Sequence, residues 1–477
     1  MPTSFRDPDG CLVTFDDRVL RFVRQSGQAN LRAFLASKTA INASNSGNVV
    51  TTTVLDPQSE AVTAARLALD PDEHFETVLE HERITFPSFP YEWVPEMLYE
   101  AGKLTLDLAE RCLADGVGLK DATPYNVLFR DTQPVFVDVL SFEKREPGDP
   151  IWLPYAQFVR TFVLPLLAVN YLGLRMDQVF LTRRDGLEPE EVYRLASVAQ
   201  KLRPPFLTLA TIPAWLNSKS EPKASVYQKR TTQSEQAAFV LRSLFRRLRR
   251  QLQSANSGAA KKSSWSGYME SVEASNPNYL KEKEEFVRRA LEEFKPRRLL
   301  DVGCNEGYFS RVASQCGASV VAIDRDTEVV SRVWRLASAE NLSVLPLVVD
   351  VTRPTPGVGW HNAENKSFLN RARGSFDAVL MVAVIHHLMV TERIPLPEII
   401  GLASEFTSDL LIAEFVPADD PMFRRIARGR DHLFEWFDED YFRRACEQHF
   451  SIIRKQKLGE TQRVIYLLRR KTRTANC

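Results

Sequence analysis

The chain has 477 residues, with 62 Lys and Arg against 61 Asp and Glu, a formal net charge of +1. That length carries two or more domains with sizeable cores. The near-neutral balance supplies no global field for nucleic acid or an acidic membrane, so nucleic acid is disfavoured as a partner.

In chain order, Phe5 to Gly10 is turn-rich, and Cys11–Phe15 with Arg18–Val23 predicts a hairpin around Asp16-Asp17. Helices are expected over Gln28–Ser37 and Ala61–Ala68, and the polar stretch Asn42–Ser59 reads as loop. Tyr99–Leu113 has apolar residues at helical spacing. Next come Asp121, Pro124 and Asn126, spaced D-x-x-P-x-N, and a short strand Pro134–Val137 that ends in Asp138. On residues alone, Asp121 and Asn126 either cap a turn or bring a carboxylate and hard oxygen ligands to a phosphoryl group. The spacing resembles the catalytic loop of kinase-like phosphotransferases such as the aminoglycoside kinases. The resemblance implies Asp121 as base and Asn126 and Asp138 as magnesium ligands, if this half is active. No G-x-G-x-x-G loop and no V-A-I-K lysine precede it; only Gly10 sits near the hairpin, and Lys120 directly precedes Asp121. A kinase-like scaffold without catalysis is therefore preferred. A working site would need Arg18, Arg21 or Arg24 of the hairpin to face Asp138. Apolar Phe158–Leu174 and amphipathic Leu187–Leu202 read as helices of the same α+β region, residues 1–216.

Residues 217–267 shift to Ser, Lys, Arg and Gln, a linker composition. Within them Glu235–Leu252 is a basic amphipathic helix. Ala237, Val240, Leu241, Leu244, Phe245, Leu248 and Leu252 share one face. Docking on its own protein is favoured over phosphates or a membrane surface. Trp265, Tyr268 and Tyr279 flank the next helix, Leu280–Phe294, and serve either as core or as cover for a ligand.

The most informative stretch is Leu299 to Ser310. A buried-strand run, Leu299–Val302, enters a turn bracketed by Gly303 and Gly307, and a helix starts at Tyr308. Glycine there permits positive φ and close approach, and the helix-start amides favour an anionic group. Further apolar runs end in Asp324 and Asp350, and another, Phe376–Val382, leads into His386-His387. Leu410–Ala413 leads into Glu414, and Ser451–Lys455 with Arg463–Leu468 adds two strands without a helix between them. Alternation of strand and helix predicts a doubly wound, Rossmann-like α/β sheet over 268–477.

Asp301, Gly303 and Gly307 fit D-x-G-x-x-x-G, with Asn305 where glycine is common. This resembles motif I of the class I S-adenosylmethionine (SAM) methyltransferases. The resemblance implies a seven-stranded sheet closed by an antiparallel hairpin, and SAM as cofactor. Asp301, Gly303, Asn305 and Gly307 would then bind it, with Asp324 on the ribose hydroxyls and Asp350 on the adenine. SAM carries an activated methyl, so alignment and water exclusion suffice and no metal is required. His386, His387 and Glu414, at strand ends where such sheets place ligands, are the candidate catalytic groups. Packing or ion pairing is the alternative for each. No N/D-P-P-Y/F motif is present.

Ile412–Met422, Phe437–Phe442 and Leu119–Phe142 also resemble a bacterial group that joins a kinase-like region to a methyltransferase. The rhizobial host-specific nodulation proteins of the NoeA type belong to it. That resemblance implies methylation of a small molecule, a nodulation signal or its precursor. A bifunctional enzyme with a live phosphotransferase half, or a non-catalytic SAM-sensing regulator, are the competing readings. The six cysteines make no C-x-x-C pair, Met1–Gly10 lacks a signal-peptide pattern, and Phe162–Leu174 is too short to span a bilayer. A cytoplasmic protein without a transmembrane segment is expected.

Overall fold

The computed structural model describes residues 6–67, 69–70, 72–217, 233–257 and 277–471. Contacts divide the chain into two units: Met1–Ala259 with Val358–Asn365, and Ala260–Gly357 with Lys366–Cys477. Trp265 and Tyr268 lie outside the described residues.

The first unit opens with a four-stranded antiparallel sheet of order β1-β2-β4-β3, from β1 (Gly10–Phe15), β2 (Arg18–Val23), β3 (Thr52–Leu55) and β4 (Thr77–His81). The β1–β2 hairpin turns at Asp16 and Asp17, both with positive φ, a conformation Asp tolerates better than most residues. The expected loop Asn42–Ser59 instead holds the end of a helix, Lys38–Asn45, and edge strand β3. Thr52 to Leu55 is half exposed because it lies at the sheet edge, so its polar residues hide the strand pattern. Pro95, at the first helical position, starts the long helix Pro95–Cys112. Short strands follow: β5 (Val117–Leu119), β6 (Val127–Arg130), β7 (Gln133–Phe136) and β8 (Phe142–Lys144). β5 pairs with β8, and β6 with β7.

The predicted helix Leu187–Leu202 is two helices, Pro189–Leu195 and Val198–Lys201. Ala196 is extended between them, and the Ser197 hydroxyl accepts from the Gln200 amide to start the second. The basic helix spans Ser234–Asn256 and belongs to the first unit rather than to a linker. Ala237, Leu241, Phe245, Leu248 and Leu252 are buried, and the helix packs on Pro95–Cys112. Each fully buried Leu or Phe contributes about 1.5–3 kcal/mol. Arg249 reaches back to Asp107 at 2.7 Å and to Glu110. Val240 points outward, 44 % exposed.

The second unit is a seven-stranded sheet of order β11-β10-β9-β12-β13-β15-β14. Its strands are β9 (Arg298–Val302), β10 (Ser319–Asp324), β11 (Val344–Val348), β12 (Phe376–Met381), β13 (Thr407–Phe415), β14 (Phe450–Lys457) and β15 (Val464–Arg470). The first five are parallel, and β15 is antiparallel to both β13 and β14, the expected closing hairpin. Leu299, Val320, Ala378, Leu380 and Ile412 form the inner face of the core, with Phe286, Val287 and Leu291 of the helix Pro277–Phe294 packed on it. Order reverses between β9 and β12, and a ligand crevice belongs at the carboxyl ends of the strands there. Among the described residues no helix is long and apolar enough to cross a membrane.

Candidate active site

The β9 loop takes its shape from three left-handed residues: Gly303 (φ 73°), Asn305 (φ 49°) and Gly307 (φ 81°). A Cβ at Gly303 would lie 2.7 Å from Val384 Cγ2, and one at Gly307 3.0 Å from the Val333 methyls. Both glycines are needed for conformation and for space. Asn305 stands where glycine was expected, yet asparagine is among the few residues that enter this region readily. Its backbone N–H donates to Asp324 Oδ2 at 3.1 Å. Its side-chain Oδ1 is buried without a partner among the described residues.

These residues open onto a cavity at the strand ends, walled by Gly303, Asn305, Asp324, Asp350, Val384 and His387 among others. Asp324 ends β10 and also accepts from the Asp326 amide at 3.0 Å, so two donors fix its carboxylate while burial pushes its pKa up. Asp350 Oδ1 accepts from the Thr352 amide at 2.9 Å and the Thr352 hydroxyl at 2.6 Å. Asp301 lies behind the loop and does not line the cavity. Its carboxylate accepts from the Ser310 hydroxyl at 2.6 Å, tying the strand to the helix Tyr308–Gln315, and burial raises its pKa to about 6. Ala383, with φ 54°, is a non-glycine left-handed residue in the cavity wall, a strained position of the kind found at functional sites.

The two histidines part company. His387 lines the cavity, and burial with nearby Arg325 and Arg463 lowers its pKa to about 4, so the ring is neutral near pH 7. His386 is 3 % exposed beside Phe423, and neither ring nitrogen has a hydrogen-bond partner among the described residues. Burial holds its pKa well below the usual value.

Glu414 is fully enclosed rather than open to the cavity. The Lys283 ammonium lies 2.8 Å away, the Tyr279 hydroxyl donates at 2.6 Å, and Arg463 lies at 3.5 Å. Arg463 also forks onto Asp420 at 2.7 and 2.9 Å. Desolvation pushes the Glu414 pKa up, but Lys283 and Arg463 outweigh it and hold the group below the usual range. Lys283 and Arg463 were not foreseen. The signal for Lys283 was a lysine on the apolar stripe Tyr279, Leu280, Phe286, Val287. On the cavity wall, Glu392 is also new; it pairs with Arg325 at 3.0 Å and Arg353 at 3.1 Å.

Residues 278–458 match a family described as Methyltransferase domain. The second unit carries a SAM-dependent methyltransferase domain. The chain is 28% identical over 474 residues to the nodulation protein NoeA of Rhizobium meliloti (strain 1021), covering 98% of this chain and 95% of that protein. Among solved structures, it is similar to the N-methyltransferase NodS from Bradyrhizobium japonicum WM9 at 13% identity and TM-score 0.31, covering 41% of this chain and 98% of NodS. The magnesium protoporphyrin IX methyltransferase ChlM from Synechocystis PCC 6803 matches at 17% identity and TM-score 0.31, covering 48% and 94% of the respective chains.

The residues of the methyltransferase domain fit the cofactor. The glycine cradle leaves room for a ligand to approach the backbone, Asn305 in the cavity wall carries a buried Oδ1 acceptor with no partner among the described residues, and two carboxylates stand at adjacent strand ends. Among the described residues no group of His, Cys, Asp and Glu is arranged to hold a metal ion.

In the first unit, Asp121, Asn126 and Asp138 do come together. Asn126 Nδ2 donates to Asp121 at 3.2 Å and to the Ser141 hydroxyl at 2.9 Å, and that hydroxyl donates to Asp138. Gln157 also donates to Asp121. Arg21 of β2 meets Asp138 at 2.9 Å and Asp7 at 3.2 Å. Arg18 and Arg24 turn instead to Glu80 and Glu73. Lys120 is held by Asp9.

Proposed function

We propose that the protein transfers the methyl group of SAM to a small-molecule acceptor, a nodulation signal or its precursor, bound beside His387. The observation that carries this reading is the place of His387 in the cavity wall shared with the Gly303–Asn305 turn. When bound, SAM supplies an electrophilic methyl on a sulfonium. Asp324 would hold its ribose hydroxyls, Asp350 its adenine edge, and Gly303, Asn305 and Gly307 would let it approach the backbone. His387 would take the proton that a hydroxyl or amine nucleophile loses. Glu414, locked by Lys283 and Arg463, would act as a positioning residue that sets Tyr279 and the cavity floor. The nodulation acceptor is supported by likeness to NoeA over nearly the whole chain. The free thiols of Cys11, Cys112, Cys304, Cys316 and Cys446 support a cytoplasmic site of action.

The first unit is read as a kinase-like accessory scaffold. A second reading keeps a live phosphotransferase site there, favoured by Arg21 facing Asp138 as that chemistry requires. Calorimetric titration with SAM and, separately, with Mg·ATP tests both. Micromolar SAM binding without an ATP signal supports the first reading, and absence of Mg·ATP binding dismisses the second. Label transfer from methyl-labelled SAM into extracts of the producing cells then tests the acceptor. Binding without any transfer would leave a SAM-sensing regulator.

A further inference from the structure

Two arginines of β2 are held in opposite ways. Arg18 forks onto Glu80, with Nε at 2.6 Å and Nη2 at 2.8 Å, the geometry a guanidinium offers a carboxylate. Arg21, only 6 % exposed, makes no such fork. Its Nη1 faces both Asp7 Oδ2 at 3.2 Å and Asp138 Oδ1 at 2.9 Å, and the second contact lacks hydrogen-bond geometry. Its Nε–H has no partner among the described residues. An unmet donor on a buried guanidinium calls for an oxygen that the chain does not supply.

The acids beside this corner come from one short segment. Asp7 reaches Arg21, and Asp9 Oδ2 accepts from the Lys120 ammonium at 2.5 Å. Lys120 directly precedes Asp121, and its backbone N–H donates to Ser141 O at 2.8 Å. Both cations therefore border the cluster of Asp121, Asn126 and Asp138. The segment itself is seated by its backbone. The Arg24 N–H donates to Asp9 O at 2.8 Å, and Arg24 Nη1 donates to Asp7 O at 3.0 Å and to Gly10 O at 3.3 Å. The two carboxylates can thus be exchanged without unseating it. Asp7 is the weaker of them: burial, reinforced by Asp138, pushes its pKa up. Burial acts on Asp9 as well, but Lys120 and Ser26 outweigh it and hold the group below the usual range.

We propose that Arg21 and Lys120 form a binding site for a phosphate chain, and that Asp7 and Asp9 keep it filled until such a ligand displaces them. Phosphate oxygens suit an arginine fork and a lysine point charge, and they supply what Arg21 Nε lacks. The ligand enters as a magnesium complex. Bare phosphates would meet Asp121 and Asp138, whereas Mg²⁺ is held by one or two carboxylates together with phosphate oxygens. The inference goes beyond either reading of the first unit, because a binding scaffold and an enzyme both need these cations vacated.

The test is calorimetric titration of the full-length chain with magnesium tripolyphosphate. Asp7→Asn/Asp9→Asn should bind about tenfold more tightly than the parent, or better. Asp16→Asn/Asp17→Asn changes the charge equally at the exposed hairpin tip and should match the parent. Lys120→Gln, added to the Asp7→Asn/Asp9→Asn variant, should remove the gain. Far-UV circular dichroism and thermal melting confirm that each variant is folded. Unchanged affinity in Asp7→Asn/Asp9→Asn overturns the proposal. An equal gain in Asp16→Asn/Asp17→Asn overturns it too, as a general charge effect, and so does a gain that survives Lys120→Gln. The result is a difference between variant and parent. Failure of the parent to bind Mg·ATP, which dismisses phosphotransfer, therefore stays distinguishable from failure here.

Discussion

The Lys283 ammonium and the Glu414 carboxylate lie 2.8 Å apart, with 5 % and 0 % of their side chains exposed. Two charges taken out of water are stable only as a matched set, and losing one partner strands the other. Lys283→Met should cost about 3 kcal/mol or more in denaturant unfolding. Lys283→Met combined with Glu414→Gln should recover part of that loss. If the double variant is as unstable as the sum of the singles, the pair is not coupled.

Asp324→Ala removes a carboxylate already aimed by two backbone N–H groups. Charged hydrogen bonds of this kind are worth roughly 1.5–3 kcal/mol, so SAM affinity should fall about tenfold to a hundredfold. Unchanged affinity by calorimetry would remove Asp324 from the site.

At position 305 the backbone angle matters more than the residue name. Asn305→Gly should hold SAM affinity within about threefold, because both residues accept left-handed φ. Asn305→Val, β-branched, should abolish binding or folding of the loop. Equal behaviour of the two variants would show that the conformation is not what the cavity needs.

The His387 pKa of about 4 fixes a direction for pH dependence. In the unfolded chain the ring titrates near 6.5, so between these values the unfolded state binds more protons and stability rises with pH. The contribution is complete above 6.5 and is lost as pH falls toward 4, about 2 kcal/mol by pH 5. His387→Asn should therefore flatten the difference in melting temperature between pH 7 and pH 5. Asp301, raised to about 6, works in the opposite sense between 3.8 and 6, while the depressed His386 works in the same sense as His387, so the His387 part is read from the difference between variant and parent. In activity, His387→Ala should lower kcat by about a hundredfold or more, with no titration limb near 6.5 in the parent enzyme. An activity limb near 6.5 that vanishes in His387→Ala would show that the ring is not depressed.

The parallel sheet was legible because each of its strands is buried on both faces and reads as a continuous apolar run. Asp324 and Asp350 were legible as carboxylates at the ends of such runs. Edge strand β3 was not, because a half-exposed strand carries Thr52 and Thr53 without penalty. The break at Ala196 was hidden because apolar spacing continues across it, and only Ser197 with Gln200 marks the new helix start. The enclosure of Glu414 was illegible for another reason. Lys283 is 131 residues away in sequence, and no local pattern reports an ion pair closed by tertiary packing. The same holds for Arg21, whose choice of Asp138 over the acids near Arg18 and Arg24 depends on how the β1–β2 hairpin sits against the Asp138 turn.

Arg463 binds Asp420, the residue that opens the helix Pro421–Ala427, while its other side faces Glu414 at the end of β13. Its guanidinium is pushed still further up from an already high pKa by these partners, so no physiological acidity unlatches it. The helix over that strand end is thus clamped by a permanent charge. Traffic into the cavity would then use the side bounded by Arg325, Thr391 and Glu392, whose outer ion pairs are half in water and yield to salt.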